Sequence, residues 1–333
     1  MRHCSTTFEE VAMIIRDYHV IHVGMGGWDL ESFHKLFYPP KPKKGFRKLE
    51  YYSQFFDSVE INSTFYNTSL NAGHARQWLD DVSVNRRFVF TVKLFRGFTH
   101  TFEATKNDVR AVRAVLEPLA AVDKLGGLVI QFPSSFANTR ERRLYLMQLS
   151  KVFQPYRLFV EVRHNSWNSP LMWNFFQENN MHLVNVDLPP LKNHMPLTAL
   201  AWGGAAYFRM MGRNVENWFN AERGDRYNYY YSQGELERLL TLIEHVRIAA
   251  HSIYVVFHND PEANSLVNGF QIRHMIRQRQ RVLVPQNLVR AFPALKEISA
   301  QVNVDHPLFA EQESVSEPAK SWSTAGRQQS VVS

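Results

Sequence analysis

The stretch SVEINSTFY, residues 58–66, joins an apolar strand pattern to a polar end. β-Branched Val59 and Ile61 alternate with Glu60, which predicts a strand from Asp57 to Ile61. In such a strand Glu60 and Asn62 project to one face and the apolar residues to the other. Two interpretations of Glu60 stay open. It pairs with a lysine or arginine of a neighbouring strand and holds the sheet, or it faces an open pocket and takes part in chemistry.

Working outward from this stretch, strand patterns alternate with helix patterns along most of the chain. Eight strands are predicted: 20–24, 57–61, 88–93, 128–133, 158–163, 182–187, 205–210 and 253–257. Such alternation predicts an α/β fold with parallel pairing, and the count of eight favours a single (β/α)8 TIM barrel. An open doubly wound sheet is the alternative, but its complete phosphate-binding glycine pattern is missing after the first strand.

The predicted domain organisation has three parts. Residues 1–19 form a short N-terminal helical extension, residues 20–310 the barrel, and residues 311–333 a disordered tail. The tail is rich in Ser, Gln, Glu and Pro and poor in aliphatic residues, so it cannot bury enough apolar surface to offset chain entropy.

Composition excludes several classes of protein. With one cysteine, Cys4, among 333 residues, a disulfide framework or a cysteine metal cluster is excluded. No apolar run reaches membrane-spanning length, and charged residues interrupt any signal-peptide pattern at the N-terminus, so we expect a cytoplasmic protein without a membrane partner. The net charge of +7 permits a nucleic acid or a phosphorylated ligand. Basic residues dispersed for solubility explain the same charge.

Polar residues end nearly every predicted strand. In a TIM barrel these carboxyl ends form one rim, where the sites of such enzymes lie. The rim residues are Glu60, Asn62, Lys93, Gln131, Glu161, Arg163, Asp187, Arg209 and either His258 or Asn259. Their convergence indicates a polar site. A self-satisfied ionic network that closes the barrel is the alternative, since buried charges need partners.

Three of these residues are predicted to be catalytic: Glu60, Lys93 and Glu161. The two glutamates suit an acid/base pair like that of glycosidases. Lys93 suits control of a carboxylate pKa, neutralisation of a phosphate, or a Schiff base if it is desolvated. No cofactor and no metal site is predicted, because the cationic side chains compete for the same carboxylates.

A larger set is predicted to bind substrate. Arginine forks suit an anionic group, and aromatic rings suit a sugar or a base. The set is Trp28, Asn62, Tyr66, His100, Gln131, Arg163, His164, Trp167, Asp187, Arg209 and Asn259. The long segment 211–231, which carries Trp218 and several tyrosines, is predicted to be a functional loop.

Several motifs together resemble the YecE-like family, domain of unknown function 72. They are Trp28, FYP at 37–39, VEINSTFY at 59–66, Lys93 with Thr99-His100, QFP at 131–133, EVRH at 161–164 with Ser166-Trp167, and Asn259-Asp260. The resemblance runs from about residue 20 to about residue 270 and implies a TIM barrel without an established reaction. His258 stands where the family usually has asparagine, and the segments before Val20 and after Pro307 lie outside the family pattern.

For function, we expect an enzyme, a hydrolase or lyase, acting on a small anionic or sugar-like substrate at the rim. The anionic group is a phosphate or a carboxylate. The alternative is a nucleic-acid-binding protein, because the barrel of this family is similar to that of endonuclease IV. The zinc ligands of that nuclease are not recognisable in this sequence. A non-catalytic scaffold is a third possibility, and the oligomeric state stays open.

Overall fold

The structure, a computed structural model, describes residues 20–219 and 225–300. Nine strands form one parallel sheet in the order β6-β5-β4-β3-β2-β1-β9-β8-β7. Their bounds are β1 Val20–Met25, β2 Ser58–Ile61, β3 Val89–Lys93, β4 Leu125–Gln131, β5 Leu158–Glu161, β6 Met181–Leu183, β7 Asn185–Asp187, β8 Gly204–Met210 and β9 Ala250–Phe257. The predicted α/β barrel is confirmed.

The count of nine arises because the predicted sixth strand is divided at Val184. Its first part, β6, pairs with β5, and its second part, β7, pairs with β8. Between them the Val184 amide donates to the carbonyl of Val160 at 2.9 Å. One continuous segment therefore joins the two edges of the sheet and brings the barrel close to closure.

Helices follow most strands and cover the outside of the sheet. Their bounds are α1 Glu31–Leu36, α2 Lys48–Ser53, α3 Ser63–Tyr66, α4 Ala72–Asp81, α5 Lys106–Ala120, α6 Arg140–Phe153, α7 Pro170–Glu178, α8 Gln233–Val246, α9 Asn264–Ile276 and α10 Gln286–Ala291. The predicted capping box of Ser232 with Glu235 opens α8, and both the amide and the hydroxyl of Ser232 donate to Glu235 at 2.9 Å.

The main core lies between the sheet and the helices. The outward residues Val59 and Ile61 of β2 are fully buried there. Next to them an aromatic cluster joins α1, α2 and α9, with the ring centroids of Phe56 and Phe270 4.8 Å apart. Among the described residues, no helix is both long and apolar enough to cross a membrane. The predicted N-terminal extension and C-terminal tail lie outside the described residues.

Candidate functional site

Glu60 lies inside the barrel and is fully buried. Its register partner on β3 is Thr91, so both side chains project inward. Arg209, from β8 on the far side of β1 and β9, binds both carboxylate oxygens, with Nη2 2.7 Å from Oε1 and Nε 2.9 Å from Oε2. The hydroxyl of Tyr207 also donates to Oε2 at 2.9 Å. Glu60 is therefore paired across the barrel by Arg209, and not by Lys93 or Arg163.

Arg209 binds a second carboxylate. Its Nη1 donates to Oε2 of Glu161, which is also fully buried, and Nε of Arg163 donates to the other oxygen, Oε1, at 2.6 Å. Glu60, Arg209, Glu161 and Arg163 thus form one chain of ion pairs, the rim network, with two positive and two negative charges. Fork-like contacts of this kind are the stronger class of hydrogen bond. The self-satisfied network that the sequence left as an alternative is present.

The two carboxylates of the rim network stay ionised at neutral pH. Burial by itself favours the neutral acid, but Arg209 and Arg163 outweigh it and lower the pKa of Glu161 to about 2. For Glu60 burial is likewise opposed by Arg209, and its pKa lies well below the usual range. A general acid needs a raised pKa, so neither glutamate suits the predicted role of proton donor.

Lys93 stands beside the rim network without joining it. Its Nζ lies 4.0 Å from the ring centroid of Phe65. Within the ranges 20–219 and 225–300 this ammonium group forms no hydrogen bond and no ion pair. Burial and then Arg209 lower its pKa to about 7, against the opposing effect of Glu60 and Glu161. Lys93 therefore exchanges a proton near neutral pH, although an ordinary lysine stays charged.

His258 and Asn62 border Glu60 on the side of β1. His258 Nε2 lies 3.4 Å from Oε2 of Glu60, and burial followed by Arg209 lowers the pKa of this histidine to about 4. A Cβ on Gly26 would lie 2.2 Å from His258 Nδ1, so only glycine fits there. The amide of Asn62 donates to the carbonyl of Gly26. The absence of a side chain at Gly26 thus makes room for the imidazole ring of His258.

Asp187 ends β7 at the carboxyl end of the barrel, as predicted, but it does not join the rim network. The register pairs Asp187 with Met210 and Val186 with Arg209. Because side chains alternate along a strand, Asp187 and Arg209 project to opposite faces of the sheet. Asp187 instead accepts hydrogen bonds from Arg213 at 2.9 Å and from the hydroxyl of Tyr231 at 2.6 Å. It anchors the segment that follows β8.

Three other predicted ligand-binding residues are engaged within the fold. The ring of Trp167 is fully buried and its Nε1 donates to the carbonyl of Phe136 at 2.8 Å. The buried amide of Gln131 donates to the carbonyl of Phe132 at 2.7 Å. Asn259 is fully buried and donates to the carbonyl of Tyr229 at 2.8 Å. Trp167 in particular packs in the core and presents no face to a ligand.

The remaining predicted residues stay accessible to different degrees. Tyr66 is 62% exposed, and Trp28 is partly buried with its ring 5.9 Å from that of Trp78. His100 packs edge-on against Phe65 at 5.0 Å, and burial followed by Lys93 lowers its pKa to about 4. His164 Nδ1 lies 2.8 Å from the hydroxyl of Ser166. Ligand contact by these four residues stays a prediction.

Two residues of the site, Tyr207 and His194, are not among the predicted site residues. Tyr207 links Thr91, at 2.9 Å, to Glu60, although in the sequence it is one apolar residue of a strand. His194 packs against Trp218 at 5.6 Å, with its Nε2 buried and unpaired among the described residues. No local pattern marks either one, since both act through long-range contacts. Within residues 20–219 and 225–300, no group of three or more His, Cys, Asp or Glu side chains is placed to hold a metal ion.

Comparison with known proteins agrees with this architecture. The profile of a family described as protein of unknown function DUF72 matches residues 22–292. The UPF0759 protein YunF of Bacillus subtilis strain 168 is 26% identical over 287 residues, which are 81% of this chain and 99% of YunF.

Two solved structures of DUF72 family proteins are also similar. The protein TM1631 from Thermotoga maritima MSB8 has a TM-score of 0.70 at 31% identity, covering 78% of this chain and all of that one. The protein EF0366 from Enterococcus faecalis V583 has a TM-score of 0.69 at 24% identity, covering 80% of this chain and 99% of that one. The second likeness is one of fold alone.

Proposed function

This chain belongs to the DUF72 family of proteins of unknown function, and we propose that it is an enzyme acting on a small anionic carbonyl compound at the rim. The observation that carries the proposal is the environment of the Lys93 amine. This amine stands without a hydrogen bond or ion pair from any described residue, beside a network in which every other charge is paired.

The reaction class follows from the protonation states at the rim. Glu60 and Glu161, whose pKa values are lowered, are ionised at neutral pH and paired with arginines, so their role is to hold Arg209 and Arg163 in place. With a pKa of about 7, about half of Lys93 is the neutral amine at neutral pH. A desolvated lysine near other cations is the arrangement that activates an amine toward a carbonyl carbon.

In the proposed step the neutral amine of Lys93 attacks the carbonyl carbon of the substrate. Both amine hydrogens leave with the carbonyl oxygen as water, and an imine links the substrate to Nζ. The lyase predicted from the sequence fits this chemistry, because an imine stabilises a carbanion formed when a neighbouring bond breaks.

Arg163 supports an anionic substrate. Its Nε is engaged by Glu161, whereas its Nη atoms bind none of the described side chains. The guanidinium carbon lies 5.8 Å from the ring of Trp218, so one face of Arg163 is fixed by packing. A carboxylate or phosphate accepts two parallel hydrogen bonds from such a fork. The proposed substrate therefore carries its anionic group toward Arg163 and its carbonyl toward Lys93.

Reductive trapping tests the proposal. The protein is incubated with glyoxylate, pyruvate or glyceraldehyde 3-phosphate and then with borohydride, whose hydride converts an imine into a stable secondary amine. Peptide mass spectrometry should find the added mass on Lys93, with a pH dependence centred near 7, ahead of the exposed Lys106 and Lys151. Lys93→Met should lose this adduct. Labelling of the exposed lysines alone, or equal labelling of all three, would refute an activated Lys93.

Nucleic-acid binding and a scaffold role stay predictions without an observation in their favour. Trp218 and Tyr231, aromatic residues of the predicted functional segment, are buried, whereas Phe219 is 70% exposed. A DNA or RNA affinity that falls steeply with salt would favour the first alternative. The single cysteine suits the cytoplasmic location that we propose with the enzyme.

A further inference from the structure

A second candidate site lies at the opposite, amino-terminal end of the barrel. A cavity of about 200 Å³ opens there, with apolar sides supplied by β1 and the last turn of α9. Its polar lining, which we call the basal cavity, consists of Asp57, Arg87, Arg247, Arg273 and Arg277. We propose that the basal cavity binds a small phosphate-bearing molecule, independently of the rim.

The position follows from where these residues stand in the chain. Asp57 immediately precedes β2, Arg87 precedes β3, and Arg247 lies between α8 and β9. Arg273 and Arg277 come from the last turn and the C-cap of α9. Five residues that are distant in sequence therefore meet at one cavity, because parallel strands start at the same end of a barrel.

Two of the four arginines have carboxylate partners. Arg273, only 9% exposed, donates from Nη1 to Asp57 at 3.0 Å and packs over the ring of Phe56 at 5.6 Å. Arg247 donates from Nη1 to Glu244 at 2.9 Å. The side-chain amide nitrogen of Asn85 also lies 3.5 Å from Oδ1 of Asp57. Arg273 and Asp57 are thus fixed in place.

The other two arginines are uncompensated. Neither Arg87 nor Arg277 makes a side-chain hydrogen bond or ion pair with any residue in 20–219 or 225–300. Burial lowers the pKa of Arg273 and the charge of Arg277 lowers it further, while Asp57 opposes both. Arginine cannot shed its proton, so this repulsion persists at every physiological pH. A bound anion would relieve it.

Helix ends account for part of this arrangement. Arg273 and Arg277 close α9, and Arg247 caps α8, positions where a cation interacts favourably with the helix dipole by about 0.3–1 kcal/mol each. Arg87 belongs to no helix, and the dipole does not explain why all four arginines line one cavity. The excess of guanidinium groups is the feature that points to an anionic ligand.

The ligand class follows from size and geometry. A cavity of about 200 Å³ is smaller than the roughly 300–1,000 Å³ of pockets for drug-sized ligands. Guanidinium forks match the oxygens of phosphate in bidentate fashion. Arg87 and Arg277 have free forks, so we infer a phosphate or pyrophosphate group on a small molecule and not the backbone of a polymer.

Calorimetric titration of the full chain with inorganic phosphate and pyrophosphate, at fixed ionic strength, tests the proposal. Arg87→Ala and Arg277→Ala should each weaken binding about tenfold or more, which is about 1.4 kcal/mol. Both positions are exposed, so the variants should fold. Arg277→Lys keeps the charge without the fork and should weaken binding less than alanine does. The matched control is Arg86→Ala, an exposed arginine beside Arg87 that does not line the cavity.

Arg163→Met separates the two ends of the molecule, because Arg163 is the rim residue proposed to hold the anionic group of a substrate. It should leave pyrophosphate binding at the basal cavity unchanged. Failure of the full chain to bind either anion would overturn the proposal, as would equal weakening in Arg86→Ala. Binding that is lost in Arg163→Met and kept in Arg277→Ala would place the anion at the rim instead. If duplex DNA at equal phosphate concentration displaced pyrophosphate, the inference that the ligand is a small molecule would be wrong.

Discussion

The two ends of the barrel differ in how their charged side chains are paired. At the rim two arginines and two glutamates are buried and pair with one another, and Arg209 is 1% exposed. At the basal cavity four arginines face one aspartate, and Arg277 is exposed. Removing one partner of a buried ion pair leaves an uncompensated charge and is strongly destabilising, whereas unpaired charges at a cavity are candidates for ligand binding. Lys93 is the exception at the rim, and for that reason it carries the proposed chemistry.

The largest effect is expected for Arg209→Met. This change removes the cation shared by two buried carboxylates, and breaking one buried pair already costs about 3–5 kcal/mol. We expect a loss of at least that size in the free energy of unfolding, measured by urea titration. Arg279→Ala, which removes an exposed arginine 3.6 Å from Glu237, is the control and should cost at most about 1 kcal/mol. A similar cost for both variants would show that the buried pairs of the rim network contribute no more to stability than an exposed ion pair.

For Glu60→Gln we expect a smaller decrease in the free energy of unfolding, about 3 kcal/mol. The glutamine amide keeps the shape of the side chain and one hydrogen-bond acceptor, but Arg209 loses a counter-charge. Glu237→Gln, at an exposed glutamate, should stay within about 0.5 kcal/mol. The interpretation in which Glu60 faces an open pocket predicts no such difference. Urea titration of both variants therefore tests whether the ion pair of Glu60 with Arg209 is structural, and equal losses would contradict that interpretation.

The pH dependence of stability should report Lys93. Its pKa is about 7 in the folded state and 10.5 as the ordinary value, so between these values the unfolded chain binds more protons. The free energy of unfolding therefore rises with pH between these two pKa values. Below and above this window, Lys93 binds the same number of protons in both states and adds no pH dependence. Relative to Lys93→Met, the wild-type protein should gain stability from pH 7 to about 10. A constant difference between the two proteins would show that Lys93 titrates normally.

The smallest effect is expected for Arg277→Ala in buffer without phosphate. Removing this exposed cation relieves its repulsion of Arg273 but also loses its favourable interaction with the dipole of α9, so the thermal midpoint should stay nearly unchanged. Added pyrophosphate should stabilise the wild-type protein more than this variant, since a ligand of the native state adds stability. A marked fall in the midpoint without ligand would identify Arg277 as structural.

Much of the fold was predictable because it depends on local patterns. The alternation of strands and helices determined the barrel, and the Ser232–Glu235 capping box marked the start of α8. The division of the sixth strand at Val184 was not predictable, because it reflects pairing with two different neighbours. Strand register is likewise absent from a local pattern, and the register is what sets Asp187 and Arg209 on opposite faces of the sheet.

The sequence predicted which charged residues meet at the rim, but not which of them form ion pairs with one another. Glu60, Lys93, Glu161, Arg163 and Arg209 do come together at the rim, as the positions at strand ends indicate. That Glu60 would pair with Arg209 depends on how the barrel closes, since the two residues are 149 positions apart in the chain. Trp167 illustrates the same limit, because burial and not residue type decides whether a ring can meet a ligand.

The reach of Arg209 has a consequence for the order of folding. Its two carboxylates come from β2 and β5, so the rim network forms only after three strands from distant parts of the chain have met. Contacts of such long sequence separation are slow to close, and we expect them to form after the folding transition state. Conservative changes at Glu60 should then accelerate unfolding and leave the folding rate nearly unaltered, as stopped-flow kinetics would show. The network would thus govern how long the folded barrel persists more than how quickly it forms.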